Sequence, residues 1–192
     1  MNITVKTIKQ HLKDKEILEG NFGLEKEGVR ITADGKLATT PHPEEFGDKT
    51  ENPYITTDFS ESQIEIVTPT FQSIDETYEF LDLIVDIVNS TISSNEYIWT
   101  QSIPPILPKD DEIPIARYNN HQMGISAEKY RQGLAKKYGT KKQMLSGIHY
   151  NFSFKDETIQ KLYQAQDTIT TLKEFKDQLY LKIVRNYMRY KW

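Results

Sequence analysis

A strict alternation of apolar and polar side chains between residues 146 and 154 constrains the fold of this chain more than any other feature. Large apolar side chains occupy one face of the segment and polar ones the other: Ile148, Tyr150, Phe152 and Phe154 against His149, Asn151 and Ser153. A period of two is that of a β-strand with one buried and one solvated face, which is typical of antiparallel sheets. The segment therefore predicts an antiparallel sheet with a polar face that carries His149.

Helical and strand-like patterns succeed one another along the rest of the chain, without internal repeats or low-complexity tracts. Ser73 and Glu76 form a capping box ahead of apolar residues spaced by three and four, which predicts a long helix. Asp34-Gly35 predicts a hairpin turn between a first strand that ends at Thr32 and a returning strand. The other expected segments are helices at 3–18, 126–138, 156–166 and 170–192, strands at 36–40, 62–68 and 97–102, and a long loop at 41–57. This order predicts an α+β fold with a largely antiparallel sheet, with an α/β arrangement as the lesser alternative.

Composition and charge limit the partners of the chain. Its 192 residues carry 24 Lys and Arg against 28 Asp and Glu, a net charge of −4 without a basic stripe, so nucleic acid is not an expected partner. The absence of cysteine excludes disulfides, zinc–thiolate sites and thiol nucleophiles. The N-terminal residues lack the apolar core of a signal peptide, and Asp82 and Asp86 interrupt the longest aliphatic stretch. We therefore expect a soluble, cytoplasmic protein without a membrane partner.

Acidic side chains recur on the polar faces of the predicted strands. Glu25 and Glu27 leave the same face of the first strand, about 6.6 Å apart along it. Glu65 lies on the next strand, Asp58 shortly precedes that strand, and His149 lies on the polar face of the last one. If these faces are aligned in one sheet, their like charges repel each other unless a cation lies between them. Magnesium or manganese suits such ligands, and either ion would let an acidic surface bind a phosphate chain.

The same pattern has a second interpretation that involves no metal. Antiparallel strands commonly present polar side chains to water on one face, which explains any single pair of acids without a ligand. All three predicted strand faces carry acids or histidine and no lysine, which favours the metal site moderately. Spacing alone leaves the metal site and the solvated face evenly balanced.

Several linked motifs resemble those of bacterial glutamate–cysteine ligase. They follow one another in the order expected of that family, over a match that extends from about residue 20 to Trp192. The motifs are Gly23–Arg30, Leu37–Pro43, Ile55–Glu61, Glu65–Pro69, Ile115–Tyr118, Tyr130–Leu134 and Ser146–Ser153. The Glu-Lys-Glu form at residues 25–27, with Thr-Glu-Asn-Pro ahead of Tyr54, is most similar to the ligase portion of bifunctional glutathione synthases. A single-activity ligase is the alternative.

The resemblance implies both a fold and an activity. The fold would be a curved, mainly antiparallel sheet with helices on its outer face and substrates on its concave face, the glutamine synthetase/guanido kinase-like catalytic fold. Residues 1–192 would form the N-terminal part of a single catalytic domain, so we expect the fold to be incomplete and the isolated chain to be inactive. The implied reaction is the ATP-dependent joining of the γ-carboxyl group of L-glutamate to the amine of L-cysteine. It passes through γ-glutamyl phosphate and is the first step of glutathione biosynthesis.

The resemblance also implies roles for individual residues. The implied ligands of Mg²⁺ or Mn²⁺ are Glu25, Glu27, Asp58, Glu65 and His149. The implied substrate-binding residues are Phe59, Tyr130, Arg131, Leu134 and Gln143. Among them, Tyr130, Leu134 and Gln143 are expected near the cysteine substrate. Arg131 is expected to hold a carboxylate or phosphate, and Phe59 to line the pocket, while no general base is evident.

Two other kinds of protein remain consistent with the residues. One is a magnesium- or manganese-dependent hydrolase that consumes a phosphate ester or amide without glutamate and cysteine. The other is a non-catalytic binding domain derived from the ligase scaffold. Release of ADP that depends on both amino acids distinguishes the ligase from these alternatives. An open sheet edge and uncovered helix faces also predict self-association of the chain.

Overall fold

The computed structural model describes residues 3–13, 15–166 and 170–191 of the protein. The chain divides into two compact units. The middle unit consists of Phe22–Asn151, the middle of the sequence, and the terminal unit combines Met1–Asn21 with Phe152–Trp192. Every residue predicted to bind a metal or a substrate belongs to the middle unit.

Helices and strands alternate along the chain. The helices are α1 (Val5–His11), α2 (Ile74–Thr91), α3 (Gln122–Tyr138), α4 (Asp156–Gln164) and α5 (Leu172–Tyr190). The strands are β1 (Gly20–Thr32), β2 (Ile55–Thr57), β3 (Gln63–Val67), β4 (Glu96–Ile98) and β5 (Ile148–Phe154). Short 3-10 helices lie at Glu16–Leu18, Glu44–Phe46, Asp110–Glu112 and Lys141–Met144. No helix within the described ranges combines the length and the apolar character that crossing a membrane requires.

The strands form one open sheet in which antiparallel pairing dominates. Its order is β2-β3-β1-β4, and β5 also pairs with β1. Strand β1 pairs antiparallel with β3 and with β4, and β2 pairs antiparallel with β3. Helices accompany this sheet, so the predicted α+β class with a largely antiparallel sheet is confirmed.

Helix α2 packs against one face of the sheet and so determines which strand side chains face away from it. Ser73 caps the helix by accepting a hydrogen bond from the Glu76 amide over 3.2 Å. Helix and strand residues share one apolar cluster, formed by Leu24, Phe46, Ile55, Ile64, Ile66, Leu81, Ile84, Val88 and Ile92. Ile64 and Ile66 of β3 face α2. Because successive side chains of a strand point to opposite faces, Glu65, which lies between them in sequence, faces the side opposite α2.

A second apolar cluster of the middle unit joins β1 to the segment that follows β2 and to helix α3. Its buried members are Val29, Leu37, Phe59, Ile113 and Met144. Ile31, Trp99, Leu107, Ile115, Leu134 and Ala135 pack against them. The burial of Phe59 in this cluster fixes the chain immediately after Asp58, which is one of the predicted metal ligands.

The terminal unit has an apolar core of its own. Its buried members are Leu12, Ile159, Leu162, Phe175 and Leu179. The first half of α5 contributes to this core, whereas every residue from 181 to 191 is exposed. The exposed half includes the large apolar side chains Leu181, Ile183, Val184, Tyr187, Met188 and Tyr190. Helix α5 therefore presents an apolar surface that the described residues leave uncovered.

The predicted hairpin forms its turn but not its returning strand. Gly35 adopts a φ of 77°, and its N–H donates to the carbonyl oxygen of Thr32 over 2.9 Å. Residues 36–40, however, form no full strand: Leu37 makes one antiparallel bridge to Ile31 of β1, and the Ala38 N–H donates to the carbonyl oxygen of Arg30 over 2.9 Å. The Arg30 guanidinium donates to the carbonyl oxygen of Thr40 over 2.7 Å, so the end of this segment is bonded to a side chain of β1. The predicted turn is therefore confirmed, while the returning strand is reduced to a single bridge with β1.

Three other segments also differ from their predictions. The helix predicted at 3–18 ends at His11, and the loop predicted at 41–57 contains β2. Three residues are too few to display a period of two, so β2 carries no local signal. The alternation in β5 implies a buried apolar face, yet Ile148 and Tyr150 are exposed. The apolar face of β5 around these two residues is therefore not buried by the part of the chain that the structure describes.

Candidate functional site

Three acidic side chains share the sheet face opposite α2. In β1, Lys26 lines a small cavity with Val88 of α2, so the flanking Glu25 and Glu27 point to the other face. In β3, Glu65 is the Cα partner of Glu27 in the antiparallel register. Two strands that are far apart in sequence thus bring carboxylates together on one surface.

His149 of β5 lies near both glutamates of β1. Its Nε2 is 3.4 Å from Oε1 of Glu27, and its Nδ1 is 3.8 Å from Oε2 of Glu25. A protein donor holds the second oxygen of each glutamate. The Gly147 N–H donates to Oε2 of Glu27 over 2.8 Å, and Asn151 Nδ2 donates to Oε1 of Glu25 over 2.8 Å. The His149 side chain is 57% exposed, so this part of the site is open to solvent.

Asp58 and Glu65 are acids whose pKa values are raised by their surroundings. Burial raises the pKa of Asp58 to about 6, and the charge of Glu27 adds to this effect, while Arg131 opposes it. Burial raises the pKa of Glu65 to about 7, and the charges of Asp58 and Glu27 add to it. Burial and the neighbouring carboxylates thus both disfavour the anionic forms of these acids, and a bound cation would relieve the repulsion between them.

The five predicted metal ligands share a surface but do not surround a single point. Within the described ranges, no group of three or more His, Asp and Glu side chains is close enough together to hold a metal ion. The donor chemistry does suit one, because carboxylate oxygens and an imidazole nitrogen are ligands for magnesium or manganese. Two of the acids are also disfavoured as anions by burial and by their neighbours. The residues fit a divalent cation in chemistry, and holding one requires their side chains to move together.

Arg131 of α3 is bound to backbone carbonyl groups. Its Nε donates to the carbonyl oxygen of Asp58, and its Nη2 donates to that of Thr57 over 3.1 Å. Its Nη1 donates to the carbonyl oxygen of Ala127 over 3.1 Å. The guanidinium carbon also lies 4.8 Å from the ring centroid of Tyr118. All three nitrogens are engaged with protein atoms, so the expected contact with a substrate carboxylate or phosphate stays a prediction.

The other predicted substrate-binding residues are distributed over α3 and its surroundings. Phe59 is only 2% exposed and packs in the same apolar cluster as Leu134. Tyr130 is 65% exposed on α3, and Gln143 is half-buried in the 3-10 helix Lys141–Met144. The structure thus brings Phe59 and Leu134 together and leaves Tyr130 on the surface. It gives Phe59 a packing role and not an open position in a pocket wall.

Glu61, the last residue of the Ile55–Glu61 motif, organises the chain around the site, although the sequence predicts no role for it. Its carboxylate accepts hydrogen bonds from Lys49 Nζ over 2.7 Å, from the His42 amide over 2.7 Å and from the Arg117 amide over 2.6 Å. Burial alone would raise the pKa of Glu61, but these hydrogen bonds lower it below its usual value. Glu61 lines a cavity of about 680 Å³. It lies in a turn before β3 and not within the strand, so strand alternation does not describe its surroundings.

Gln63 is a second organising residue that the predictions do not include. Its side chain is fully buried at the start of β3. Its Nε2 donates to the carbonyl oxygen of Leu145 over 2.9 Å, and its Oε1 accepts a hydrogen bond from the Phe59 amide over 3.4 Å. The available sequence signal is its place between acidic residues on the predicted polar face. Gln63 thereby ties β3 to the chain on either side of the candidate site.

The geometry defines a class of protein, an α+β protein whose open antiparallel sheet presents partly buried carboxylates and an imidazole on one face. Comparison with known proteins identifies the family within this class. Residues 5–192 match the family model described as Glutamate-cysteine ligase. The chain belongs to the glutamate–cysteine ligase family, and the resemblance that its motifs indicate is confirmed.

Curated relatives of this family are similar to the chain over nearly its whole length. It is 49% identical over 189 residues to the glutathione biosynthesis bifunctional protein GshAB of Clostridium perfringens, a match covering 98% of this chain and 24% of the relative. It is 45% identical over 188 residues to the glutamate–cysteine ligase of Clostridium acetobutylicum, a match covering 98% of this chain and 39% of the relative. The chain therefore spans well under half the length of these relatives.

Solved structures show the same relationship. A crystal structure of a bifunctional glutathione synthetase from Pasteurella multocida is similar with a TM-score of 0.85 at 39% identity, over 97% of this chain and 23% of that chain. A glutamate–cysteine ligase from Francisella tularensis in complex with AMP is similar with a TM-score of 0.83 at 32% identity. That match covers 91% of this chain and 34% of the other.

Proposed function

We propose that the protein containing this chain is an ATP-dependent ligase that joins the γ-carboxyl group of L-glutamate to the amine of L-cysteine. This reaction is the first step of glutathione biosynthesis. Family membership and the similarity to curated glutathione biosynthesis proteins and glutamate–cysteine ligases support the proposal. The observation that carries it is the sheet face on which Glu27 lies opposite Glu65, within the electrostatic reach of Asp58. An acidic face of this kind needs a cation in order to bind the phosphates of ATP.

In this proposal, Mg²⁺ or Mn²⁺ would be held by Glu25, Glu27, Asp58, Glu65 and His149. A divalent ion supplies neutralising charge between the carboxylates and the phosphate chain when it is bound. Hydrogen bonds from Gly147 and Asn151 already orient one oxygen of each β1 glutamate. Such supporting hydrogen bonds fix the direction of ligating oxygens and commonly matter for metal affinity.

The proposed chemistry depends on charge stabilisation and needs no protein nucleophile. Transfer of the γ-phosphoryl group of ATP to the glutamate γ-carboxylate gives γ-glutamyl phosphate and ADP, and the cysteine amine then displaces phosphate. Positioning and electrostatic stabilisation supply most of the acceleration in phosphoryl transfer. The positive charge of Arg131 opposes the rise in pKa of both Asp58 and Glu65, so it favours their anionic, cation-binding forms. We assign no residue of this chain as a general base.

We further propose that residues 1–192 form the N-terminal part of a single catalytic domain with the glutamine synthetase/guanido kinase-like fold, in a cytoplasmic enzyme. The antiparallel pairing and the similarity to ligase structures over most of the chain support this assignment. Tyr130, Leu134 and Gln143 would lie near the cysteine substrate, with Phe59 packed behind them. Further substrate contacts would come from regions that the longer relatives possess and this chain does not span.

Calorimetric titration of Mn²⁺, with and without ATP, tests the cation site. The proteins to compare are the wild type, Glu27→Gln and the control Glu79→Gln, whose side chain is exposed on α2. Glu27→Gln removes one charge and preserves side-chain size. We expect its Mn²⁺ affinity to fall at least ~10-fold, since even groups that only support metal ligands are commonly worth that much. Equal affinity for Mn²⁺ and ATP in all three proteins would contradict the proposed site.

A further inference from the structure

Asp58 lies where the sheet no longer fixes the backbone. Strand β2 ends at Thr57, whose Cα partner in β3 is Ile64, so Asp58 is the first residue beyond the ladder. Contacts outside the ladder must therefore hold the backbone at Asp58.

Arg131 supplies contacts on both sides of Asp58. Its Nε donates to the carbonyl oxygen of Asp58, which belongs to the peptide group that follows the Asp58 Cα. Its Nη2 donates to the carbonyl oxygen of Thr57, which belongs to the preceding peptide group, over 3.1 Å. Because peptide groups are planar, holding both carbonyls fixes the two backbone dihedrals between them and hence the direction of the Cα–Cβ bond. The rigid fork of a guanidinium is suited to this double contact.

Tyr118 holds Arg131 and Thr57 in place from the segment before α3. The Arg131 guanidinium carbon lies 4.8 Å from the Tyr118 ring centroid, within the range of a cation–π contact. The Tyr118 hydroxyl is 2.9 Å from Oγ1 of Thr57, which is fully buried. The neighbouring Arg117 amide donates to Glu61 over 2.6 Å, which anchors this segment to the turn before β3.

We propose that Arg131 and Tyr118 form a clasp, the Asp58 clasp, that directs the Asp58 carboxylate into the cation site. Both are positioning residues of that site, since they act through the backbone of Asp58 and not by binding the ion. The inference rests on the proposed function and deepens it, because it names the residues that set the geometry of one ligand. It also gives Tyr118 a positioning role, which neither its place in the sequence nor the chemistry of a tyrosine side chain would predict by itself.

Mn²⁺ affinity in a double-mutant cycle tests the Asp58 clasp. Arg131→Lys keeps the positive charge but cannot donate to both carbonyls in a fork, so we expect a loss of ~10-fold, as for other supporting residues. Asp58→Asn removes the carboxylate itself and is expected to lose at least as much. The double variant should bind Mn²⁺ no more weakly than Asp58→Asn alone, because the clasp acts only through that carboxylate.

Substitutions of Tyr118 separate its ring from its hydroxyl. Tyr118→Phe keeps the ring under the guanidinium and should stay within ~3-fold of the wild-type affinity. Tyr118→Leu removes the ring and should lose ~10-fold, comparable to Arg131→Lys. Tyr138→Leu, at the end of α3, is the matched control and should leave the affinity unchanged. Amide hydrogen exchange around residues 57–59 should quicken in Arg131→Lys and in Tyr118→Leu, whether or not metal is present.

The possible outcomes separate the clasp from the proposed function. Independent, multiplicative losses in Arg131→Lys and Asp58→Asn would overturn the clasp and leave the cation site standing. Wild-type affinity in Arg131→Lys, with unchanged exchange around residues 57–59, would do the same. A wild-type protein that binds no Mn²⁺ would overturn the proposed cation site itself and the clasp with it.

Discussion

Glu27 on β1 and Glu65 on β3 are direct cross-strand partners in an antiparallel ladder. Like charges in that position ordinarily destabilise a sheet. Burial, and then the charges of Asp58 and Glu27, raise the pKa of Glu65 to about 7. A cation held between these carboxylates would convert a repulsive contact into a binding site, which would give a purpose to an arrangement that stability alone does not favour.

The first prediction concerns the stability of the metal-free protein. In the presence of EDTA at pH 8, Glu65→Gln should raise the free energy of unfolding by ~0.5–1 kcal/mol, because it removes the like-charge pair. Urea denaturation of the wild type and the variant measures this difference. The exposed control Glu79→Gln should change stability by less than ~0.5 kcal/mol. The same Glu65→Gln variant should bind Mn²⁺ more weakly, and a variant that is both less stable and unaffected in metal binding would refute the account of this pair.

The second prediction concerns His42, which is buried beside Phe46 with a centroid distance of 5.3 Å between the rings. Neither ring nitrogen has a hydrogen-bond partner among the described residues. Burial lowers the pKa of His42 to about 4, and Lys49 and Arg30 contribute further. An unfolded histidine titrates near ~6.5, so the unfolded state binds more protons between pH 4 and 6.5. Protonation of His42 in the unfolded state therefore lowers the free energy of unfolding as the pH falls through this range.

Urea unfolding of the wild type and of His42→Gln at a series of pH values measures this effect as the difference between their free energies of unfolding. The free energy of unfolding of the wild type, relative to His42→Gln, should fall by up to ~1.4 kcal/mol per pH unit from about pH 6.5 toward pH 4. Carboxylates titrate in both proteins, so their contribution cancels in the comparison. His11→Gln, at an exposed position of α1, is the control and should follow the wild-type profile. Parallel profiles for the wild type and His42→Gln would count against a buried, neutral His42.

Local patterns predicted the elements that carry their own signals. The capping box at Ser73 and the spacing of three and four located α2, which begins at Ile74. The period of two placed Glu25 and Glu27 on one strand face, and the register of β1 with β3 then brought Glu65 opposite Glu27. These parts of the site were predictable because strand geometry alone determines which side chains share a face.

Contacts between distant segments could not be predicted in the same way. Arg131 binds the carbonyl of Asp58 from a position 73 residues away, and no periodicity reports such a hydrogen bond. The strand expected after Gly35 is reduced to a single bridge with β1, and the Arg30 side chain binds the Thr40 carbonyl at the end of this segment. The Glu61 carboxylate accepts three hydrogen bonds within a turn, and helix or strand propensities do not predict such contacts. Polar networks of this kind become visible only after the fold has brought their members together.

The third prediction concerns the apolar surface of α5. Leu181, Val184 and Met188 are exposed and spaced by three and four, so they form one stripe along the helix. We expect the 192-residue chain to self-associate through this stripe in a concentration-dependent way. Size-exclusion chromatography with light scattering should show Val184→Glu shifted toward a 22.4 kDa monomer. Arg185→Gln changes the net charge equally and should behave as the wild type, while a wild type that stays monomeric at every concentration would contradict this expectation.

The central claim is that the carboxylate face of this chain serves ATP-dependent ligation. The most direct measurement is ADP release by the complete protein that contains the chain, with Mg²⁺ present and glutamate and cysteine added separately or together. The account predicts ADP release only when both amino acids are present, with a ~10²- to 10³-fold lower rate in Glu27→Gln and an unchanged rate in Glu79→Gln. Release of ADP or phosphate at the same rate without the amino acids would identify a hydrolase. Nucleotide binding without any turnover would identify a binding domain, and either result would contradict the account.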